Sequence, residues 1–247
     1  MLDDVESVRA MLDLLRVHDA RFVNKIRVGR QGDGGYVMLP LGEKTEAALS
    51  LGIGNDVSWD VAVAEQGLPV FQFDHTLDKA PVEHRNFRFF KSSAGRNIGC
   101  FARGLRISDI LATTHLETSE DLILKFDIED SEWGLILDEN PGVFGRFSQI
   151  VGEFHGLLRA REPAYREIFQ RVFSIIKQSH EVIHVHGNNW ADVGFISNIT
   201  VPDVLEISFA RKSDYSFLPH AGIFPGQLDS PCHPEKPDIF LGSFVFR

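Results

Sequence analysis

The spacing of hydrophobic positions changes along the chain, and it predicts which segments are helices and which are strands. Apolar residues recur every three or four positions from Val5 to Leu15, which predicts an amphipathic helix at the start. Two short strand-like segments at 25–30 and 36–39 flank a turn rich in Gly and Asp. This arrangement predicts a β-hairpin.

Beyond the hairpin, strand and helix patterns alternate. Short apolar runs predict sheet strands at 47–51, 70–73, 87–90, 122–126, 149–154, 181–186 and 204–209. Helical spacing predicts helices at 57–66, 131–138 and 165–176. Alternation of this kind predicts an α/β fold, a Rossmann-like and mostly parallel sheet flanked by helices.

The chain reads as one domain over residues 1–247. We divide it into an N-terminal helix and hairpin extension (1–45), a Rossmann-like core (46–210) and a C-terminal tail (211–247). The tail is expected to lie over the surface as loop, because it is rich in Pro and Gly.

The composition narrows the class of partner. The chain has 247 residues, of which 43% are hydrophobic, which is enough for a sizeable core. The net charge is −10 and no run of Lys or Arg occurs, so we expect no nucleic-acid partner. No apolar run approaches the ~20 residues that cross a bilayer, so no membrane partner is expected either.

Two further features bear on the cellular setting. The chain starts with acidic residues where a signal peptide would be basic, and its only cysteines are Cys100 and Cys232. We therefore expect a reduced, cytoplasmic protein whose partner is a small molecule or a glycan. Formation of a homo-oligomer is left open.

The first sheet strand ends in a glycine turn, Gly52-Ile53-Gly54. Glycine lets the backbone turn sharply and approach a ligand closely. Asp74 ends the next strand, 20 positions after Gly54, a spacing that suits a carboxylate bound to the ribose hydroxyls of an adenosine.

The same turn favours one adenosine ligand over another. A dinucleotide fingerprint needs a third glycine, and Val57 stands at that position. Asp56 at the start of the following helix would repel a pyrophosphate. S-adenosylmethionine carries a cationic sulfonium and no phosphate, so it is the predicted cofactor.

Three segments of the chain resemble the FkbM-type methyltransferases. They are residues 49–54 with Asp74, residues 124–133, and the Arg-x-Gly-Asp-Gly-Gly-Tyr-Val segment at 30–37. The Lys-x-Asp-x-Glu part of 124–133 is the most specific, and the likeness extends over about residues 25–210. The resemblance implies a seven-stranded class I sheet and methyl transfer that usually goes to oxygen. Asp130 stands where the family usually has Gly, and we expect it to serve as a helix N-cap.

Polar residues follow three neighbouring strands, so we expect them to meet at one cleft. The resemblance places Asp127 and Glu129 beside the transferable methyl. We predict that His155, as a neutral imidazole, is the general base for a hydroxyl acceptor. The residues predicted to bind the substrate are Glu153, His186, Asn188 and Asn189. His184 is predicted to be structural.

Further residues complete the predicted site. The turn at Asp33 is expected to close over the cofactor, with Asp33 near the ammonium of its methionine part. Ser58 and Ser93 are expected to reach its carboxylate or adenine. The predicted cofactor-binding residues are Asp33, Gly52, Gly54, Asp56, Ser58, Asp74, Ser93 and Asp127.

A divalent metal is a second way to activate the acceptor. Mixed carboxylate and imidazole ligands can hold a cation that binds a sugar diol and acidifies its hydroxyl. The candidate ligands are Asp127, Glu153, His155 and His186. Because they come from different strands, sequence spacing leaves the metal undecided.

The leading interpretation is an S-adenosylmethionine-dependent methyltransferase acting on a hydroxyl of a small molecule or saccharide. One alternative is an NAD(P)-dependent oxidoreductase, against which Val57 and Asp56 count. The other is a non-catalytic nucleotide-binding module, since fold by itself does not fix function.

Overall fold

A computed structural model describes residues 2–98, 103–196 and 198–246; Cys100 lies outside these ranges. The helices are α1 (Leu2–Asp13), α2 (Ser58–Ala64), α3 (Ile107–Thr114), α4 (Glu132–Leu137) and α5 (Pro163–Ile176). Short 3₁₀ helices cover Pro141–Arg146 and Leu157–Arg161. The strands are β1 (His18–Ala20), β2 (Ile26–Val28), β3 (Tyr36–Met38), β4 (Ala47–Leu51), β5 (Val70–Phe73), β6 (Phe87–Phe90), β7 (Leu122–Phe126), β8 (Phe147–Phe154), β9 (His180–Gly187), β10 (Val193–Ile196), β11 (Ile199–Pro202), β12 (Leu205–Arg211) and β13 (Phe217–Pro219).

The central sheet has seven strands in the order β6-β5-β4-β7-β8-β12-β9. The pairs β5–β6, β4–β5, β4–β7 and β7–β8 are parallel, and only β12 runs antiparallel to its neighbours. This confirms the predicted Rossmann-like, mostly parallel sheet. The chain moves outward from β4 in one direction and then from β7 in the other, so a crevice opens between these two strands.

The two faces of the sheet are covered differently. Alternate residues such as Ala47 and Leu49 pack into a large core with α1, α3, α4 and α5. The intervening residues, such as Ala48 and Ile123, pack against α2 and the β2–β3 hairpin. We call this second side the hairpin face. Lys125 follows Ile123 by two positions, so polar side chains enter the hairpin face toward the carboxyl ends of the strands.

The tail is more deeply packed than its composition predicts. It is largely irregular, yet β13 pairs with β1 and several tail side chains are buried. The buried tail residues are Phe224, Cys232, Ile239 and Phe244. Phe224 and Phe244 belong to the main hydrophobic core, so the tail does not lie only over the surface.

Helix starts differ in detail from the sequence expectation. Val57 occupies the N-cap position of α2, and the Asp56 carboxylate before it accepts a hydrogen bond from Ser58 N at 2.8 Å. Ser131, not Asp130, occupies the N-cap position of α4. Asp130 instead accepts a hydrogen bond from Arg159 Nη1 at 3.1 Å. The Asp130 side chain is thus bound to a residue distant in the sequence and not to the start of α4.

No helix in the described ranges combines the length and apolar character needed to cross a bilayer.

Candidate functional site

A cavity of about 660 Å³ opens at the carboxyl ends of β4, β5 and β7. Seven of the sequence-predicted cofactor-binding residues line it, together with Glu129: Asp33, Gly52, Gly54, Asp56, Asp74, Ser93 and Asp127. The structure thus brings together residues from the hairpin and from three sheet strands.

The two glycines of the turn have different surroundings. Gly52 has φ +72°, and a Cβ there would lie 1.8 Å from the carbonyl oxygen of Asp127, so only glycine lets β4 and β7 end this close together. Gly54 has φ +51°, and a Cβ there would meet no atom within 4 Å. Gly52 holds the sheet edge together, whereas Gly54 faces open space.

Asp74 organises the turn. Its Oδ2 accepts hydrogen bonds from Ile53 N at 3.1 Å and Gly54 N at 3.0 Å. Its Oδ1 accepts from the backbone N and the hydroxyl of Thr76, at 2.7 and 2.6 Å. Burial alone would raise the pKa of Asp74, but these hydrogen bonds outweigh it and leave the pKa below its usual value. The carboxylate therefore stays ionised at neutral pH.

The start of α2 is already bound to protein groups. Asp56 accepts from Ser58 N at 2.8 Å and from Arg30 Nη1 at 3.0 Å. The Ser58 hydroxyl accepts from Arg30 N at 3.0 Å and donates to the Gly34 carbonyl at 3.4 Å. Ser58 lies outside the cavity lining and ties the hairpin to α2, which corrects the expectation that it reaches the cofactor.

Asp127 and Glu129 both lie near the His155 imidazole, because the chain turns after the end of β7. Strand β7 ends at Phe126, and Glu129 adopts φ +50° with its side chain 87% exposed, so the two acids do not share a strand face. His155 Nε2 nevertheless lies 3.8 Å from Asp127 Oδ1 and 3.6 Å from Glu129 Oε2. It also lies 3.5 Å from Glu153 Oε2.

Glu132, which sequence reasoning did not select, fixes His155. Its Oε1 accepts from His155 N at 2.6 Å and lies 3.2 Å from His155 Nδ1, and its side chain is fully buried. Trp133 Nε1 donates to the His155 carbonyl at 2.9 Å. The backbone and ring of His155 are therefore both held by α4.

The protonation of His155 differs from the expectation. Burial alone would lower its pKa, but the hydrogen bond and charge of Glu132, followed by the charges of Asp127 and Glu129, raise the pKa to about 9. At neutral pH the ring is an imidazolium, not the neutral base that the sequence predicts. Its Nε2 proton faces the carboxylates around it.

His186 and Asn189 bind groups of the tail, Asn188 binds Glu153 of β8, and none of the three lines the cavity. His186 is 1% exposed; its Nδ1 lies 2.8 Å from Glu206 Oε2 and its Nε2 3.0 Å from Asp238 Oδ1. Asn188 Nδ2 donates to Glu153 Oε1 at 3.0 Å. Asn189 Nδ2 donates to three tail carbonyls, those of His233, Lys236 and Pro237. Their predicted role in binding substrate is replaced by a role in packing, because the tail covers the end of β9.

The four predicted metal ligands do not converge. Asp127, Glu153 and His155 are neighbours, but Glu206 lies between Glu153 and His186, opposite both in the strand register. Sequence reasoning missed Glu206 because β12 is antiparallel. The start of β12, which carries Glu206, therefore lies at the sheet edge where the parallel strands end. The one available signal is a single acid within the apolar run 204–209.

Comparisons with known proteins add little beyond the fold. No family model matches the chain, and no curated protein matches it. One solved structure that it resembles is the crystal structure of a fibrillarin/Nop5p complex, with a TM-score of 0.42 and 11% identity over 69% of this chain and 74% of that one. A TM-score this low says nothing about ligand or partner. The FkbM-type resemblance therefore remains a prediction from the sequence segments.

Proposed function

We propose that this protein is an S-adenosylmethionine-dependent methyltransferase that methylates a hydroxyl oxygen of a small molecule or saccharide. The observation that carries the proposal is the Asp74 carboxylate, which occupies the backbone amides of the glycine turn. A negatively charged turn beside an open cavity suits a cationic nucleoside.

The same hydrogen bonds count against a dinucleotide. Pyrophosphate groups bind where backbone N–H groups at a glycine turn and helix start are free to donate. Here Asp74 accepts from Ile53 and Gly54, and Asp56 accepts from Ser58. Both carboxylates would repel a pyrophosphate, so the NAD(P)-dependent alternative is disfavoured.

Each part of the cofactor has a matching group. The Asp74 carboxylate already accepts four hydrogen bonds, one for each lone pair of its two oxygens. It can bind a ribose hydroxyl when the Thr76 hydroxyl rotates toward the sugar and leaves one lone pair free. Asp127 and Glu129 line the opposite side of the cavity and stabilise the sulfonium by charge attraction. Ser93 is left to contact the adenine or the carboxylate.

Methyl transfer then depends on positioning. The acceptor oxygen attacks the methyl carbon in line with the breaking carbon–sulfur bond, so holding the oxygen in place supplies much of the rate. S-adenosylmethionine would supply the methyl group and keep the bonding pair on its sulfur, and the Asp127 carboxylate would accept the proton of the acceptor hydroxyl. The positive charge of His155, with Nε2 3.8 Å from Asp127 Oδ1 and 3.5 Å from Glu153 Oε2, stabilises these carboxylates.

The acid-rich edge also bears on the acceptor. Asp33, Asp127 and Glu129 repel anions, so a neutral, hydroxyl-bearing acceptor such as a saccharide fits best. The cytoplasm is the location we expect for this activity.

Calorimetric titration of the whole chain with S-adenosylmethionine, S-adenosylhomocysteine and NAD⁺ tests the proposal. Both sulfur nucleosides are expected to bind with a Kd of about 1–100 μM, or roughly −5 to −8 kcal/mol, and NAD⁺ to give no saturable heat. Binding of NAD⁺ without either sulfur nucleoside would overturn the proposal in favour of the oxidoreductase.

A further inference from the structure

Acids from neighbouring strands form a row on the hairpin face of the sheet. Glu153 of β8 lies opposite Glu206 of β12, and Glu206 lies opposite His186 of β9. Phe126 pairs with Gly152, which brings Asp127 beside Glu153. Because opposed residues of paired strands point to the same face, these side chains project together.

Asp33 completes a three-carboxylate group from above. One carboxylate oxygen from each of Asp33, Glu153 and Glu206 lies within 4.8 Å of the other two. Glu153 and Glu206 are each 4% exposed, whereas Asp33 is exposed on the hairpin turn and lines the cavity. The group thus has a buried floor and an open side through which a small ion can enter.

The spacing matches a small divalent cation. With metal–oxygen bonds of ~2.1 Å and octahedral geometry, ligand oxygens lie about 3 to 4 Å apart. A modest change in side-chain rotamer would bring the three oxygens to that separation.

Among the described residues, the positive groups near these acids are two imidazoles, Lys125, whose charge acts on Asp127, and Arg30, whose charge acts on Asp33. The imidazole of His155 is 3.5 Å from Glu153, and that of His186 is 2.8 Å from Glu206. Each ring also forms ion pairs with other acids. Together the two rings contact six carboxyl groups, which are those of Asp127, Glu129, Glu132, Glu153, Glu206 and Asp238. Asp33 adds a seventh nearby carboxyl group. Burying so many acids is costly unless protons or a cation offset their charge.

Tyr36 provides independent evidence for a ligand among these acids. Its side chain is 1% exposed, and its hydroxyl forms no hydrogen bond with the described residues. Burial, and then the charges of Asp127, Glu153, Glu206 and Asp33, raise the pKa of Tyr36 well above its usual value. The hydroxyl therefore lies within the electrostatic field of all four acids.

Strand β3 explains why the phenol lies there. The Ser208 hydroxyl donates to the Val37 carbonyl at 2.6 Å, and Gln149 bonds both the N–H and the carbonyl of Leu39. These bonds lay β3 across β8 and β12, with Tyr36 toward the end that carries Glu153 and Glu206. Buried tyrosine hydroxyls usually have a hydrogen-bond partner, so an unpartnered one marks space for a bound group.

We propose that Asp33, Glu153 and Glu206 bind a hard divalent cation, Mg²⁺ or Mn²⁺, and that the Tyr36 hydroxyl bonds to one of its water ligands. Three oxygen donors without sulfur favour these ions. Asn188 and His186 fix the carboxylates of Glu153 and Glu206 from behind, as outer residues of metal sites do.

A neighbouring cluster is a weaker candidate. His186, Glu206 and Cys232 also lie close together, but all three are buried. The Cys232 thiol donates to Glu206 Oε1 at 3.2 Å, and burial raises the pKa of the thiol. This cluster is already satisfied internally and has no opening.

The cation proposal does not depend on methyl transfer, so its test uses the whole chain without nucleoside. Free Mn²⁺ is followed by electron paramagnetic resonance during a titration at pH 7.5, and Mg²⁺ binding by calorimetry. The wild type is expected to bind one Mn²⁺. Glu153→Gln and Glu206→Gln are each expected to weaken binding at least tenfold. Tyr36→Phe is expected to weaken it several-fold.

Two further variants keep the test decisive. Asp33→Asn alters an exposed turn whose carboxylate forms no hydrogen bond with any described residue, so this variant reports on binding even where a buried variant fails to fold. Glu117→Gln, an exposed acid away from the cavity, should bind Mn²⁺ as the wild type does. Absence of saturable Mn²⁺ binding overturns the proposal. A second result also overturns the proposal. If Asp127→Asn loses Mn²⁺ binding while Asp33→Asn and Glu206→Gln bind it fully, the ion lies beside His155.

Titration of the same preparations with S-adenosylhomocysteine separates the two proposals. Failure of Mn²⁺ binding alongside normal nucleoside binding rejects only the cation site.

Discussion

The carboxyl edge of the sheet has two halves that use acids in opposite ways. In the cofactor half, at β4 and β5, Asp74 accepts two hydrogen bonds from the glycine turn and two from Thr76. In the acid half, at β7, β8, β12 and β9, the carboxylates of Glu153 and Glu206 face other acids and share imidazoles. The first half is a preformed cradle, and the second holds negative charge that a cation can neutralise.

The comparison shows where rigidity and reactivity reside. Satisfied hydrogen bonds fix the turn without a ligand, so binding there requires little reorganisation. Burial and the charges of neighbouring acids raise the pKa of Glu153, and perturbed carboxylates of this kind are common at functional sites. Gly52 joins the two halves, because it allows β4 to touch β7.

The largest expected effect comes from separating the halves. Gly52→Ala places a Cβ 1.8 Å from the Asp127 carbonyl oxygen, so the strand ends must move apart. We expect a loss of about 5 kcal/mol in the free energy of unfolding, measured with urea, and loss of S-adenosylhomocysteine binding. Gly67→Ala is the control, because Gly67 also has a positive φ but open space around it, and it should lose only about 1–2 kcal/mol. Equal losses in the two variants would show that the contact at Gly52 does not matter.

A smaller loss of stability is expected when the hydrogen bonds that hold His155 are removed. Glu132→Ala leaves the buried backbone N–H of His155 without its acceptor and removes the partner of its ring. We expect about 4 kcal/mol lower stability and a strongly reduced methyl transfer rate. Glu139→Ala is the matched control, because Glu139 also accepts two hydrogen bonds, both from Ser108, but lies outside the acid half. It should reduce stability and leave the rate of the folded enzyme unchanged; an equal fall in rate would argue against a special role for Glu132.

His180, at the opposite end of β9 from His186, tests whether charged imidazoles are confined to the carboxyl edge of the sheet. His180 is fully buried, its Nε2 lies 2.8 Å from the Phe147 carbonyl and its Nδ1 2.8 Å from the Ser179 hydroxyl. Burial lowers its pKa to about 4. The Phe147 carbonyl raises the pKa, the charges of Arg211 and Lys212 lower it, and the charge of Asp214 raises it.

The sign of the pH dependence follows from this shift. The unfolded chain binds a proton near pH 6.5 and the folded chain only near pH 4, so stability is full above 6.5 and falls as the pH drops toward 4. Between pH 7 and 4.5 His180 should contribute about 2.5 kcal/mol of the loss. Urea unfolding at both pH values should show a correspondingly smaller loss in His180→Gln. Identical losses in wild type and variant would mean that His180 is not held neutral.

The smallest effect is expected at the cradle itself. Asp74→Asn keeps the shape but removes the charge and converts an acceptor into a donor. We expect S-adenosylhomocysteine to bind about tenfold more weakly, or about 1.4 kcal/mol, in calorimetry. Asp78→Asn, an exposed acid paired with Lys91, should bind as the wild type does. Unchanged affinity in Asp74→Asn would reject the ribose role.

The two halves also differ in what sequence alone reveals. The cofactor half is local: the glycine turn and Asp74 follow directly from two strands, and an apolar run predicts each strand. All seven sheet strands were predicted for the same reason; β4, β5, β6 and β7 have the predicted ends, and the ends of β8, β9 and β12 differ by one or two residues.

The acid half depends on contacts between distant segments. Glu206 comes from an antiparallel strand, Tyr36 from a hairpin laid across the sheet, and Asp238 from the tail. None of these positions has a local signal, because its environment forms only after the sheet assembles. For the same reason His186 and Asn189 were placed at the correct strand end but assigned to substrate instead of to the tail.

The most direct test of the account is S-adenosylhomocysteine binding to Gly54→Asn and Gly67→Asn. Both glycines have a positive φ and open space, and asparagine tolerates that conformation, so both variants should fold. Only Gly54 lines the cavity. The account predicts that calorimetry shows wild-type affinity for Gly67→Asn and at least tenfold weaker binding for Gly54→Asn. Equal affinities in the two variants, or no binding by the wild type, would contradict it.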